Sequence, residues 1–173
     1  MLQHAHNYVT VLDMSSALKA KIKQQADFSS PIIEAILNLM VAADAVRAQM
    51  DRVFAAYEIT QGQYNVLRIL RGAGCNGHPR CEIASRMLER APDITRIIDR
   101  LERQSLVERD RSDEDRRHSL TRITKKGLQL IERIEPELIK AHDEIGRKLS
   151  AVESVALTSI CEKIYSNQPE SAH

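Results

Sequence analysis

Apolar residues recur at a helical period through most of the chain, and the places where that period breaks divide it into elements. Residues 1–28 carry only weak periodicity. Within them, ALKAKIKQQ (17–25) predicts a short basic helix in an N-terminal arm that needs a partner surface to order. From Ser30 the pattern is clear: Ser30 suits a helix cap and Pro31 the first helical position. Ile32, Ile33, Ile36, Leu37, Met40, Ala43, Val46, Met50, Val53, Phe54 and Tyr57 then form one stripe over nearly 30 residues. A stripe that long predicts packing against a second chain. Thr60-x-x-Gln63 reads as a capping box opening a second helix, with Tyr64, Leu67 and Leu70 on one face. GAGCNGHP (72–79) holds three of the six glycines and reads as a loop. A short helix is expected around Glu82–Leu88, with Ile83, Ala84, Met87 and Leu88 turned inward.

The next helix is predicted to start at Pro92, with Asp93 in its first turn where the helix dipole favours an acid. Ile94, Ile97, Ile98 and Leu101 make one buried face, and Pro92, Arg96, Asp99 and Arg103 lie nearly opposite. Asp93, Thr95 and Arg100 flank them. After Gln104 the period shortens. LVERDR (106–111) and HSLTRIT (118–124) read as two strands of a hairpin around the polar tip SDEDRR (112–117). Thr124 then opens a helix with Leu128, Ile131, Ile134, Leu138, His142, Ile145 and Leu149 at a spacing close to 3.5 residues, which predicts packing along another helix. Pro136 is expected to interrupt and kink it. Ser150-x-x-Glu153 opens a last helix to about Tyr165, and the tail 167–173 reads as disordered.

Composition refines this picture. Apolar residues are 43% and charged residues 28% of 173, which excludes wholesale disorder, and no apolar run approaches a membrane span. With two Phe, four Tyr and no Trp the core must be aliphatic. The low count of glycine (6) and proline (5) favours long helices. An odd number of cysteines, three, and an N-terminus without the features of a secretory signal lead to the expectation of a reducing cytoplasm. The expected class is mainly α with a small β-hairpin wing. A winged helix-turn-helix lobe (59–127) is joined to a helical dimerisation region (29–58 and 128–166).

That order of elements has a direct physical use. A helix fits the DNA major groove with the side chains of its N-terminal turn at the base edges. A neighbouring hairpin can then place an arginine in the minor groove. ITQGQYNVLRILRGAG, EIASRMLERAPDITRIIDRLERQSLVER and DRSDEDRRHSLTRITKKG together resemble the MarR (multiple antibiotic resistance regulator) family. Asp115-x-Arg117, followed by Ile123-Thr124 and Gly127, is the key motif, with Ile123 where the family usually has leucine. The resemblance covers roughly residues 30–165. It implies a homodimer with interlocked terminal helices, two lobes on a pseudo-palindromic operator, and a repressor released by a phenolic or other amphipathic ligand. Pro92, Asp93, Thr95 and Arg96 then start the recognition helix, with Arg100 further along it. Arg117 is the wing arginine, Asp115 orients it, and Arg116 reaches a phosphate. Arg47, Tyr64 and Arg68 lie near where a family-like effector pocket would be.

Other features carry bland readings beside sharper ones. Lys125 and Lys126 are either a phosphate pair or solvated charge. Cys75-x-x-His78-x-x-Cys81 has soft ligands for zinc or a thiol switch, but only three of them, in a loop that explains itself as a connector; no metal or cofactor is expected. A metal- or redox-responsive regulator is the alternative this motif leaves open. His142 reads as a core or dimer-interface histidine, and His4 and His6 as arm residues. No phosphate loop, nucleophile motif or paired zinc motif points to an enzyme, and a helical adaptor is the remaining class. The net charge of +1 conceals an asymmetry: residues 80–127 hold thirteen Lys/Arg against ten Asp/Glu, and the remainder is acidic. This predicts weak non-specific DNA binding, with affinity resting on a few placed arginines.

Overall fold

The computed structural model describes residues 15–88, 93–110 and 119–166. The sequence readings of His4, His6, Pro92, Asp115, Arg116, Arg117 and the 167–173 tail lie outside them. The chain divides within its longest helix into two units, residues 1–47 and 48–173. In the first, α1 (Ser15–Ile22) is the short basic helix expected at 17–25. It closes through Lys23 at φ 56°, with the Gln24 N–H donating to the Lys19 carbonyl at 3.0 Å. α2 (Pro31–Ala55) begins at the expected proline. Its apolar stripe has two fates: Ile32, Ile33, Ile36 and Met40 are exposed, whereas Met50 and Phe54 are buried in the core of the second unit.

In that second unit, α2 ends with Glu58 at φ 57°, and Ile59 N–H reaches back to the Phe54 carbonyl at 3.3 Å. Such left-handed closures satisfy terminal carbonyls, and here the residue that follows, Ile59, is buried. α3 (Gln61–Ala73) starts in the expected capping box: the Gln63 N–H donates to Thr60 Oγ1 at 3.2 Å and the Thr60 N–H to Gln63 Oε1 at 2.9 Å. Val66, Leu67 and Leu70 of α3, Ile83 of α4 (Arg80–Ser85), Ile98 and Leu101 of α5 (Ile94–Arg103), and Ile131 and Ile134 of α6 (Lys125–Gly146) form the aliphatic core. α7 (Ala151–Tyr165) follows a second capping box between Ser150 and Glu153.

The wing is a three-stranded antiparallel sheet in the order β1 (His78–Pro79), β3 (Leu120–Ile123), β2 (Val107–Arg109). The stretch 72–79 is therefore not only a loop. After one 3-10 turn (Gly74–Asn76) it pairs with β3, His78 opposite Thr121. Gly77 permits this at φ +67°, where a Cβ would stand 2.5 Å from the Thr121 carbonyl oxygen. The short helix also departs from expectation. It begins two residues earlier and ends at Ser85, leaving Ala84 and Leu88 exposed, because only Ile83 of this helix is enclosed in the core. α6 runs unbroken through Pro136, which is exposed along with Glu132, whose carbonyl lacks that donor. Of the two readings of His142, core or dimer interface, its exposure excludes the core one; Ala141 fills the inward slot.

Candidate nucleic-acid interface

The start of α5 is built by Asp93, which is the cap itself and not a first-turn residue. Its Oδ1 accepts from the Arg96 backbone N–H at 3.0 Å, while its Oδ2 pairs with Arg96 Nε at 2.7 Å. One carboxylate therefore caps the helix and holds the arginine side chain that projects from it. The Arg96 side chain is 81% exposed, so its terminal nitrogens are presented to solvent on a restrained stem. Thr95 accepts a hydrogen bond from Arg80 Nη1 at 3.1 Å, which joins α5 to α4. Arg100 is exposed and shares the wall of a shallow cleft with Arg103, beside Glu58 and Thr60. Arg103 is drawn back by its Nε to the Asp99 carbonyl at 3.3 Å.

The hairpin base is fixed to this helix. Asp99, read as an outward residue, pairs closely with Arg109 of β2, and Glu102 Oε2 lies 3.4 Å from the same guanidinium. On the far side of the sheet Arg122 donates to the Cys75 carbonyl and to Asp110 Oδ2, both at 2.9 Å. Ser105 at φ 58° closes α5, and Leu106 N–H bonds the Leu101 carbonyl at 2.9 Å. Thr124 then ties the hairpin to α6, donating from Oγ1 to Ser105 O at 2.8 Å and accepting from Gly127 N at 3.1 Å. Any Cβ at Gly127 would collide with the Leu106 carbonyl, so the first turn of α6 presses directly on the entry to β2. α5 and the base of the wing thus share one rigid frame.

Several sequence-predicted residues have other work. Lys126 Nζ donates to Gln104 O at 2.8 Å, at the C-terminal end of α5, where a cation complements the dipole. Lys125 is exposed. The Tyr64 ring stacks on Phe54 at 4.9 Å, and burial, then the Glu135 charge, pushes its hydroxyl pKa up. Arg68 is exposed and donates to Asn65 Oδ1 at 3.2 Å; Arg47 is exposed on α2. Cys75 and Cys81 are exposed free thiols, while His78 Nε2 is buried without a hydrogen-bond partner among the described residues. Among the described residues no group of three His, Cys, Asp or Glu side chains is placed to hold a metal ion. Nor is any described helix long and apolar enough to cross a membrane.

Sequence reading missed Arg80, Arg109 and Arg122. The strand arginines look like ordinary solvated residues in the sequence, and only the fold shows which acids they meet.

The MarR family model matches residues 59–119. A MarR transcription factor from Planctomyces limnophilus is 36% identical, with a TM-score of 0.63, over 79% of this chain and 98% of that one. The homoprotocatechuate degradative operon repressor of Escherichia coli is 26% identical over 128 residues, 73% of this chain and 84% of that protein. A cysteine-to-serine mutant of MarR from E. coli, solved with operator DNA, shares the fold at TM-score 0.69 and 23% identity, over 81% of this chain and 99% of that one.

Proposed function

The chain belongs to the MarR family of transcriptional regulators, and from that premise we propose that it is a homodimeric repressor that holds a pseudo-palindromic operator and is released by a small amphipathic or phenolic ligand. The observation that carries the DNA contact is the first turn of α5, where Asp93 restrains an exposed Arg96. A restrained arginine fork pairs with a base edge at lower entropic cost than a free one. Asp93, Arg96 and Arg100 face the groove in this reading, with Thr95 at its edge. Pro92 and Arg116 join them by sequence, with Arg117 in the minor groove and Asp115 orienting it.

The homodimer is supported by α7. Val152, Val155, Ile160 and Ile164 are all more than half exposed, and no residue of α7 is buried. Two copies packed through such helices would couple the lobes and set the half-site spacing at about one helical turn. By linkage, a ligand favouring a lobe arrangement mismatched to that spacing weakens DNA binding by the same factor. Tyr64 and Arg68 are candidate effector contacts. A cleft of about 540 Å³, lined by Tyr57, Leu106 and Leu130 with Lys126, Arg133, Glu58 and Glu132, offers a second place for an amphipathic ligand. The name of the E. coli relative, a repressor of a homoprotocatechuate degradative operon, supports the phenolic class.

Selection of genomic DNA by the purified protein, followed by titration of the selected site, tests this reading. Two half-sites about one turn apart are expected. Arg96→Ala should cost roughly 1–3 kcal/mol of operator affinity. Unchanged affinity in that variant would remove Arg96 from base readout, and failure to select any sequence would remove the operator reading itself.

A further inference from the structure

Around α5, several arginines are matched to acids: Arg86 to Glu82, Arg96 to Asp93, Arg109 to Asp99 and Glu102, Arg122 to Asp110, while Arg100 and Arg103 of α5 itself have no acid partner among the described residues. Arg80 is different. It is exposed at the first position of α4, and its partner among the described residues is neutral, the hydroxyl of Thr95 in the first turn of α5. A neutral tether positions a guanidinium without cancelling its charge. It also orients the hydroxyl. A threonine oxygen that accepts from arginine keeps its own hydrogen to donate, and no described residue takes it. Two adjacent donor groups, one of them fully charged, then present themselves at the seam between α4 and α5.

We infer that Arg80 and Thr95 form a phosphate clamp that grips the DNA backbone at the edge of the groove, an inference that rests on the DNA-binding reading above. The helix preceding a recognition helix crosses the backbone rather than entering the groove, and donors placed there meet phosphate oxygens. Such contacts fix register and orientation without reading sequence. The clamp therefore differs in kind from Arg96. Arg96, partly neutralised by Asp93, spends its exposed nitrogens on a base edge, whereas Arg80 supplies net positive charge. It adds one uncancelled charge at the backbone edge to the exposed Arg100 and Arg103 of α5, and each such charge that meets a phosphate adds to the salt-dependent attraction.

The test uses full-length protein, the selected operator and a scrambled duplex of equal length, with affinity measured across a salt series. Each phosphate neutralised contributes about 0.9 to the slope of log K against log salt. Arg80→Ala is expected to reduce that slope by about one unit per protomer and to weaken operator and scrambled duplex by the same factor, with the selected sequence unchanged. Arg80→Lys keeps the charge and should keep most of the slope. Thr95→Val removes the tether and should weaken both duplexes while leaving the slope nearly intact. Phosphate ethylation interference should show one position per half-site that matters to the wild type and not to Arg80→Ala. A slope unaltered in Arg80→Ala would overturn the clamp, leaving Arg80 as a link between helices. So would a changed base preference, which would make it a base reader. Either result leaves sequence-specific binding by the wild type intact, whereas a wild type that binds neither duplex fails the functional reading first.

Discussion

α5 and α7 are written in the same local code and meet different fates. Each is opened by a side-chain cap: Asp93 accepts from the Arg96 N–H, and Ser150 from the Glu153 N–H. In α5, ten residues long, Ile98 and Leu101 are enclosed, and Asp99 and Glu102 are engaged by a strand arginine. In α7, fifteen residues long, Val152, Val155, Leu157, Ile160, Ile164 and Tyr165 all remain exposed. A helix of that length is marginal in water on propensity alone. Caps decide where a helix begins; only burial decides that it persists. The lobe carries its own burial within one chain, and in the proposed dimer α7 borrows its burial from a second copy.

The largest expected effects break this comparison most directly. Leu101→Ala removes a completely buried side chain from the lobe and should cost roughly 2–5 kcal/mol, read as a lower urea midpoint. That loss belongs to the lobe and should be found at every protein concentration. Ile160→Asp places a charge on the open face of α7. It should convert the dimer to a monomer by light scattering and abolish the concentration dependence of unfolding that a dimer shows. An unchanged mass for Ile160→Asp would mean that α7 is not the seam, and the contrast between the two helices would lose its explanation.

A smaller effect sharpens the comparison at the helix ends. α5 closes through Ser105 in the left-handed region at φ 58°, with Leu106 buried behind it. α7 ends without such a turn, at Ser166 with φ −63°. A non-glycine residue in the left-handed region carries a steric penalty that glycine avoids. Ser105→Gly should therefore raise stability by about 0.5–1 kcal/mol in thermal melts. The carbonyl that Ser105 offers to Thr124 is backbone and survives the change. Ser166→Gly should bring no gain, because its backbone is already in the ordinary helical region. A gain at Ser166 equal to that at Ser105 would show that relief of left-handed strain is not the source of the gain at Ser105.

What the sequence disclosed follows the same division. Caps and periodicity are local, and they located the capping boxes at Thr60 and Ser150, the proline at the start of α2, the hairpin strands and the inward face of α5. Pairings between distant segments were not legible. β1 hid in a glycine-rich stretch because two residues carry no alternation, and its evidence is the space that Gly77 leaves for Thr121. His142 sat on a period close to 3.5 residues, yet the chain's own core follows Ile131, Ile134, Leu138 and Ala141. Leu88 and Ala84 failed for a related reason: a helix of six residues has room for one buried position. At the candidate interface the residue types in the first turn of α5 were visible, but the roles of Asp93 as cap and of Arg80 as neighbour required the backbone of α5 and its packing on α4.

The smallest expected effect lies in the cap of α7 and depends on pH. Glu153 accepts from the Ser150 backbone N–H and from its hydroxyl, both at 2.7 Å, and these bonds hold its carboxyl below the usual value of 4.5. A group whose pKa is depressed by folding adds stability that is present above its unfolded pKa and lost as pH falls through the folded one. The cap should therefore be fully effective at neutral pH and should weaken as acid protonates Glu153. Because the side chain is solvent-exposed, the contribution is small. Glu153→Gln keeps a reciprocal amide in the box and removes the titration. Thermal melts of the two proteins should differ most above about pH 5 and converge as the carboxyl is protonated. A difference that stays constant across that range would show that the charge of Glu153 contributes nothing to the cap, leaving the Ser150 hydroxyl to hold the start of α7.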